Sequence, residues 1–207
     1  MLAPALFITM TVCAANWYSR VVPVRHLESV TKPLATILVI WVAIAAHGPK
    51  TATAIAVVGL VFCLIGDVAL MPIIDRFIVG LGAFLLGHGV FIAMFVALHL
   101  RRPWWGAIAF AILSVHALMF ARPIIGGAAA GHPELRLPVV AYFVVIMSMA
   151  VVAAMTGRWW AIAGAAAFVI SDTILGWGHF VREQRAFPLA IMMTYHAALV
   201  GLALSLR

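Results

Sequence analysis

Two aspartates stand inside long apolar runs of this 207-residue chain. Asp67 follows Gly66 in the run Thr51–Met71, and Asp172 follows Ser171 in the run Trp159–Phe180. The chain has only 6 acidic residues, and the remaining four (Glu28, Asp75, Glu134 and Glu183) sit in short polar breaks. An ionised carboxylate in hydrocarbon costs several kcal/mol or gives up its charge. A membrane chain that keeps two of them marks where its chemistry or its transport pathway lies. Two carboxylates in one low-dielectric site resist ionising together, so one serves as an acid and the other as a base.

A second set of polar side chains lies at similar depth. His88 falls mid-way along the fourth apolar run, and Tyr195 and His196 mid-way along the eighth. Tyr142, Ser148, Ser171 and Thr173 complete the set, with His179 nearer an end. Ser, Thr and Tyr inside spans ordinarily bond to helix carbonyls or to neighbouring helices. Ionisable groups there are rarer without a task, so the aspartates and His88 carry the functional weight. No HExxH pattern occurs, and no spacing among His88, His196 and the aspartates demands a metal. The expectation is chemistry without metal or cofactor. The small-residue stretches Gly80-Leu81-Gly82-Ala83, with Gly87 and Gly89, and Gly164-Ala165-Ala166-Ala167 suit close helix packing. None is followed by the Lys-Ser/Thr of a phosphate-binding loop.

The elements that position these groups are membrane spans. Hydrophobic residues make up 66% of the chain and charged residues 9%, and mean hydropathy is +1.18. That composition belongs to an integral membrane protein and leaves no room for a separate soluble domain. The expectation is an all-α polytopic bundle, residues 1–207 forming one membrane domain. Eight spans are read: Met1–Tyr18, Pro33–Ala46, Thr51–Met71, Phe77–Leu100, Trp104–Ala121, Leu137–Met155, Trp159–Phe180 and Ala186–Leu206. The first lacks a basic leader and reads as a retained span. Pro33 and Pro138 suit a first helical turn. Trp104-Trp105 and Trp159-Trp160 open their spans as interfacial anchors. Arg122–Arg136, with Gly126-Gly127, reads as a loop. Cys13 and Cys63 lie in apolar runs, and no disulfide is expected.

The formal net charge is +7, but the basic residues form no continuous stripe, which argues against nucleic acid as a partner. Breaks after the odd-numbered spans hold Arg20, Arg25, Lys32, Arg76, Arg122, Arg136, Arg182 and Arg185. The opposite side holds Lys50, Arg101, Arg102, Arg158 and Arg207. The richer side faces the cytoplasm by the positive-inside rule, putting both termini outside; for a bacterial chain the membrane would be the inner one. The separation of Asp67 and Asp172 also aligns the two halves without a gap. It pairs Pro33 with Pro138, Thr51 with Thr156, Gly59 with Gly164 and Leu70 with Leu175. A four-plus-four repeat would place both aspartates in the same half of the bilayer, facing one another across the bundle.

Taken in order, these pieces resemble the YhhN-like lysoplasmalogenases. The resemblance begins at Lys32-Pro33-Leu34. It is strongest through Gly66-Asp67-Val68-Ala69-Leu70 and through Phe77 to His88. It returns at Tyr142, Met147, Gly164 and Phe168-Val169-Ile170-Ser171-Asp172-Thr173, and ends at Tyr195. Leu199 stands where family members often carry Gln. The resemblance implies cleavage of the vinyl ether of a lysoplasmalogen, releasing a fatty aldehyde and a glycerophospho-alcohol. Lysophospholipid and the surrounding membrane lipid would then be the partners. A vinyl ether needs a positioned acid, a negative charge beside the resulting cation, and a base for water. Asp67 and Asp172 can supply all three, as paired carboxylates do in glycosidases. His88, Tyr142, Ser171 and Tyr195 are candidates to support them, and Lys32, at a span opening, to meet a phosphate.

Three other classes compete. A proton-coupled transporter also uses repeats and buried carboxylates, but it favours discontinuous helices, and Pro72 comes only after Asp67. An intramembrane aspartyl protease resembles Tyr-Asp and Gly-x-Gly-Asp, whereas here the aspartates follow Ser171 and Leu64-Ile65-Gly66. A lipid sensor without turnover is a third possibility.

Overall fold

The computed structural model describes residues 1–22 and 25–207. The side chain of Arg25, counted above among the basic residues, lies outside that set. Among the described residues the chain is helical throughout. The helices are α1 (Leu2–Val21), α2 (Arg25–Ala45), α3 (Lys50–Ala69), α4 (Phe77–Ala97) and α5 (Pro103–Gly131). A short 3-10 turn, Pro133–Leu135, leads into α6 (Arg136–Met155), followed by α7 (Trp159–Phe180) and α8 (Phe187–Leu204). Seven of them, α2 to α8, are long and apolar enough to cross a membrane. α1 falls short because its second half carries Asn16, Tyr18, Ser19 and Arg20, two of which (Asn16 and Ser19) are buried against the bundle.

Sequential neighbours pack as hairpins, α1 on α2, α3 on α4, α5 on α6 and α7 on α8. The two halves meet where α4 packs on α6 and where α8 packs on α2 and α1. Burial ranks the helices: half of the α8 span window is buried and only 6% of that of α5. α8 is therefore the central post and α5 an outer wall. Large side chains that face outward, such as Phe110 and Leu118 on α5 and Val144 on α6, are the lipid-facing surface such a bundle requires. Trp104 and Trp159 are exposed at the starts of α5 and α7, where anchors belong.

Small residues set the tightest approaches. A methyl group added at Gly164 would stand 2.8 Å from the Leu202 nitrogen, so α7 and α8 touch backbone to backbone. Gly59 and Gly66 instead receive the rings of Phe91 and Phe84 from α4. Gly82 and Gly89 face open space and do not serve packing within the chain. Cys13 and Cys63 are free and buried.

Three expectations need correction. Pro33 lies inside α2, eight residues past its start, and not in a first turn. The turn before it packs inward: Thr31 and Lys32 are buried, and Asn16 of α1 donates to Thr31 Oγ1 at 3.0 Å. Lys32 is accordingly inside a helix and not at its opening. Finally, most of Arg122–Arg136 is not a loop: α5 continues through Pro123, Gly126 and Gly127. Ile124 and Ala128 pack with Leu135 and Val139 in a small second core, and Gly127 lies against the Phe180 carbonyl, where a Cβ has no room. Here glycine serves close approach, not a turn.

Candidate active site

Asp67 lies two residues before the end of α3, and Asp172 eight before the end of α7. At the helical rise these are ~3 and ~12 Å from their helix ends. Both helices run unbroken past their aspartates, unlike the discontinuous helices of carriers. The two carboxylates line one cavity of about 220 Å³, shared with Ser171, Tyr195, Lys32 and Phe84. The same cavity reaches Arg20, Glu28, Pro72 and Pro188. Those four residues lie at or beyond the helix ends on the side joining α1 to α2, α3 to α4 and α7 to α8, so the cavity opens toward that face.

The partners of the two aspartates differ in kind. Asp67 is fully buried, and everything that reaches it is a donor or a cation. Thr36 Oγ1 donates to its Oδ2 at 2.6 Å and Tyr195 Oη to the same oxygen at 2.8 Å. Lys32 Nζ stands 3.6 Å from Oδ1, which otherwise lacks a hydrogen bond. Such surroundings suit a carboxylate that keeps its charge. Asp172 is more open, its side chain 12% exposed. Tyr142 Oη donates to its Oδ2 at 2.5 Å, and His88 Nε2 lies 3.7 Å from the same oxygen.

The state of His88 follows from its other nitrogen. Nδ1 is 2.5 Å from the Phe84 carbonyl oxygen, which can only accept, so Nδ1 carries a proton. In a neutral ring Nε2 then has a lone pair turned toward Asp172 with no hydrogen bond. A lone pair and a carboxylate oxygen do not attract one another. One proton, on the ring or on the acid, reconciles the contact. A proton therefore fits between Asp172 and His88, whereas two hydroxyl donors and an ammonium surround Asp67. Phe168 and Tyr142 pack their rings across His88, with centroids at 4.4 and 5.4 Å, and fix its plane.

The other expected residues divide. Ser171 lines the cavity, but its hydroxyl donates to the Ile191 carbonyl at 3.2 Å and ties α7 to α8. His196 is buried on α8 and accepts from Trp17 Nε1 at 2.9 Å, facing α1. Ser148 bonds its own helix at Val144, and Thr173 at Val169, apart from the carboxylates. His179 stacks on Phe77. Leu199 is fully buried in the apolar core, so no polar contact arises at that place. Thr36 was not among the sequence candidates. Its signal was its position four residues after Lys32, one helical turn along the same face. Among the described residues no group of three or more His, Cys, Asp or Glu side chains could hold a metal ion.

A polytopic helical membrane bundle with two carboxylates of opposite surroundings on one cavity is the class that fold and site define. Residues 27–206 match the YhhN family, and the chain belongs to that family. It is 32% identical over 130 residues to a lysoplasmalogenase of Mycobacterium bovis, covering 59% of this chain and 48% of that protein. It is equally similar to a lysoplasmalogenase of Mycobacterium tuberculosis, with the same coverage. The matched region thus spans about half the length of these curated relatives. No solved structure matches the chain.

Proposed function

We propose that this protein hydrolyses the vinyl ether bond of lysoplasmalogens with the paired aspartates, Asp172 as acid and base and Asp67 as the charge that stabilises the cation. The observation that carries the reading is that Asp67 and Asp172 line one cavity with different partners, hydroxyls and a lysine at Asp67, a tyrosine and a histidine at Asp172. Family membership and the two lysoplasmalogenase relatives support the substrate class.

The steps follow from the partners. Asp172, with His88 exchanging the proton at Nε2, protonates the β carbon of the vinyl ether. The electron pair of the double bond takes that proton, and the ether oxygen shares the positive charge left on the α carbon. Asp67, held by Lys32, Thr36 and Tyr195, stabilises that oxocarbenium ion electrostatically. Asp172, now ionised, removes a proton from water as it adds to the α carbon. The hemiacetal then collapses, its hydroxyl proton passing to the departing glycerol oxygen. A fatty aldehyde and a glycerophospho-alcohol leave, and one water is consumed.

The test is mass spectrometry of lipids incubated with the detergent-purified chain. The panel is a lysoplasmalogen, its saturated alkyl ether analogue and the acyl lysophospholipid. Only the vinyl ether should be cleaved, because the alkyl ether has no carbon that accepts a proton. Equal cleavage of the acyl ester would point to a nucleophilic esterase and sink the reading.

A further inference from the structure

At the open end of the cavity sit a cation and an anion that the catalytic steps do not use. Arg20, in the last turn of α1, meets Glu28, in the first turn of α2, at 2.8 Å between Nη1 and Oε1. Their side chains are only 16% and 13% exposed. As a helix-to-helix clasp the pair would need no more explanation. Two further observations go beyond a clasp. Both residues line the same cavity as the aspartates. Among the described residues Arg20 Nε is buried without a hydrogen-bond partner, leaving a donor unspent beside that cavity. A buried donor without an acceptor is costly, and a ligand oxygen would relieve it.

We infer that Arg20 and Glu28 form a subsite for a zwitterionic phospho-amine headgroup, Arg20 binding the phosphate and Glu28 the ammonium. This rests on the lysophospholipid reading above and deepens it. The polarity fits: one cation and one anion side by side complement a phosphate and an amine a few bonds apart. Arginine suits the phosphate because its planar fork can offer two donors at once. The depth fits as well. The headgroup of a membrane lipid sits at the interface, where α1 ends and α2 begins, and the vinyl ether lies one glycerol deeper, toward Asp67 and Asp172. Arg20 precedes the family-matched residues 27–206, so this half of the subsite is not assigned by the family match.

The test measures binding with lipids that cannot be cleaved, which separates it from catalysis. The full chain in detergent is titrated with 1-alkyl lysophosphoethanolamine, 1-alkyl lysophosphocholine and the amine-free 1-alkyl lysophosphatidic acid. Tryptophan fluorescence reports binding, and thermal melting reports folding. Wild type should prefer the two amine lipids. Arg20→Gln should weaken all three by about 10–100-fold, the scale of a charge-assisted hydrogen bond, with Arg20→Lys between. Glu28→Gln should erase the preference for amine lipids and leave the amine-free lipid bound as well or better. Unchanged binding by Arg20→Gln, with only a lower melting temperature, would reduce the pair to a clasp. Should Arg20→Gln not fold, Glu28→Gln decides alone, and a retained amine preference overturns the subsite. A wild type that binds with this preference yet cleaves no vinyl ether would retain the subsite and refute the hydrolase. Cleavage without any headgroup preference would do the reverse.

Discussion

The two aspartates have the same side chain and different surroundings, and the activity is expected to depend on both. Under the proposed mechanism Asp172→Asn would remove the proton carrier, and Asp67→Asn the charge beside the cation. Asn keeps size and hydrogen bonding but can neither release a carboxylic proton nor hold charge. Each single variant should lose about 10²–10⁴-fold in turnover, and the double variant should be scarcely worse because the two act as a unit. The wild-type pH profile should be bell-shaped: the rate falls at high pH as the acid loses its proton and at low pH as the carboxylate gains one. A folded single variant with near wild-type turnover would make that aspartate structural. Lys32 gives a stability counterpart. Lys32→Met leaves Asp67 as a buried charge without its cation, a change on the order of 3–5 kcal/mol when a buried pair is broken. Adding Asp67→Asn should recover much of the lost melting temperature but none of the turnover. If Lys32→Met melts as wild type does, the pairing at 3.6 Å contributes nothing.

At the scale of the element, helix packing is set by where glycine meets a neighbour. Gly164→Val should separate α7 from α8, since the added carbons meet the α8 backbone, and should lower the melting temperature; overpacking typically costs about 1–3 kcal/mol. Gly82→Val, which faces open space, should not. Equal melting of the two variants would contradict the close approach. The apolar runs made seven of the eight expected spans legible in the sequence, because lipid-facing and buried residues are both apolar; the first run misled, since α1 is not apolar enough along its length to cross. The start of α2 was hidden, since its first two turns are polar and face the cavity and α1. The extension of α5 was hidden too: Gly126-Gly127 signals a turn locally, and only the Phe180 backbone, distant in sequence, explains it. Asp67, Asp172, His88, Tyr142 and Tyr195 were legible because polar atoms at membrane depth are scarce. Thr36, Arg20 and Glu28 were not, because hydroxyls and helix-end charges have ordinary explanations until a cavity joins them.

For the whole molecule, four helices contribute side chains that touch the aspartates: α2 and α8 reach Asp67, and α4 and α6 reach Asp172. In each half, the second helix gives a hydroxyl to the aspartate of the third. The fourth helix crosses to the aspartate of the other half. That exchange of partners accords with the four-plus-four repeat expected from the sequence, and it makes the cavity a product of both halves together. In the proposed mechanism water attacks the carbon of the alkenyl chain, not of the glycerol. Hydrolysis of 1-alkenyl lysophosphoethanolamine in H2(18)O measures this directly, with the aldehyde reduced at once to its alcohol and both products weighed by mass spectrometry. Glycerophosphoethanolamine should emerge without label and the fatty alcohol with one heavy oxygen. Label in the glycerophosphoethanolamine, or no aldehyde at all from the folded protein, would contradict the mechanism.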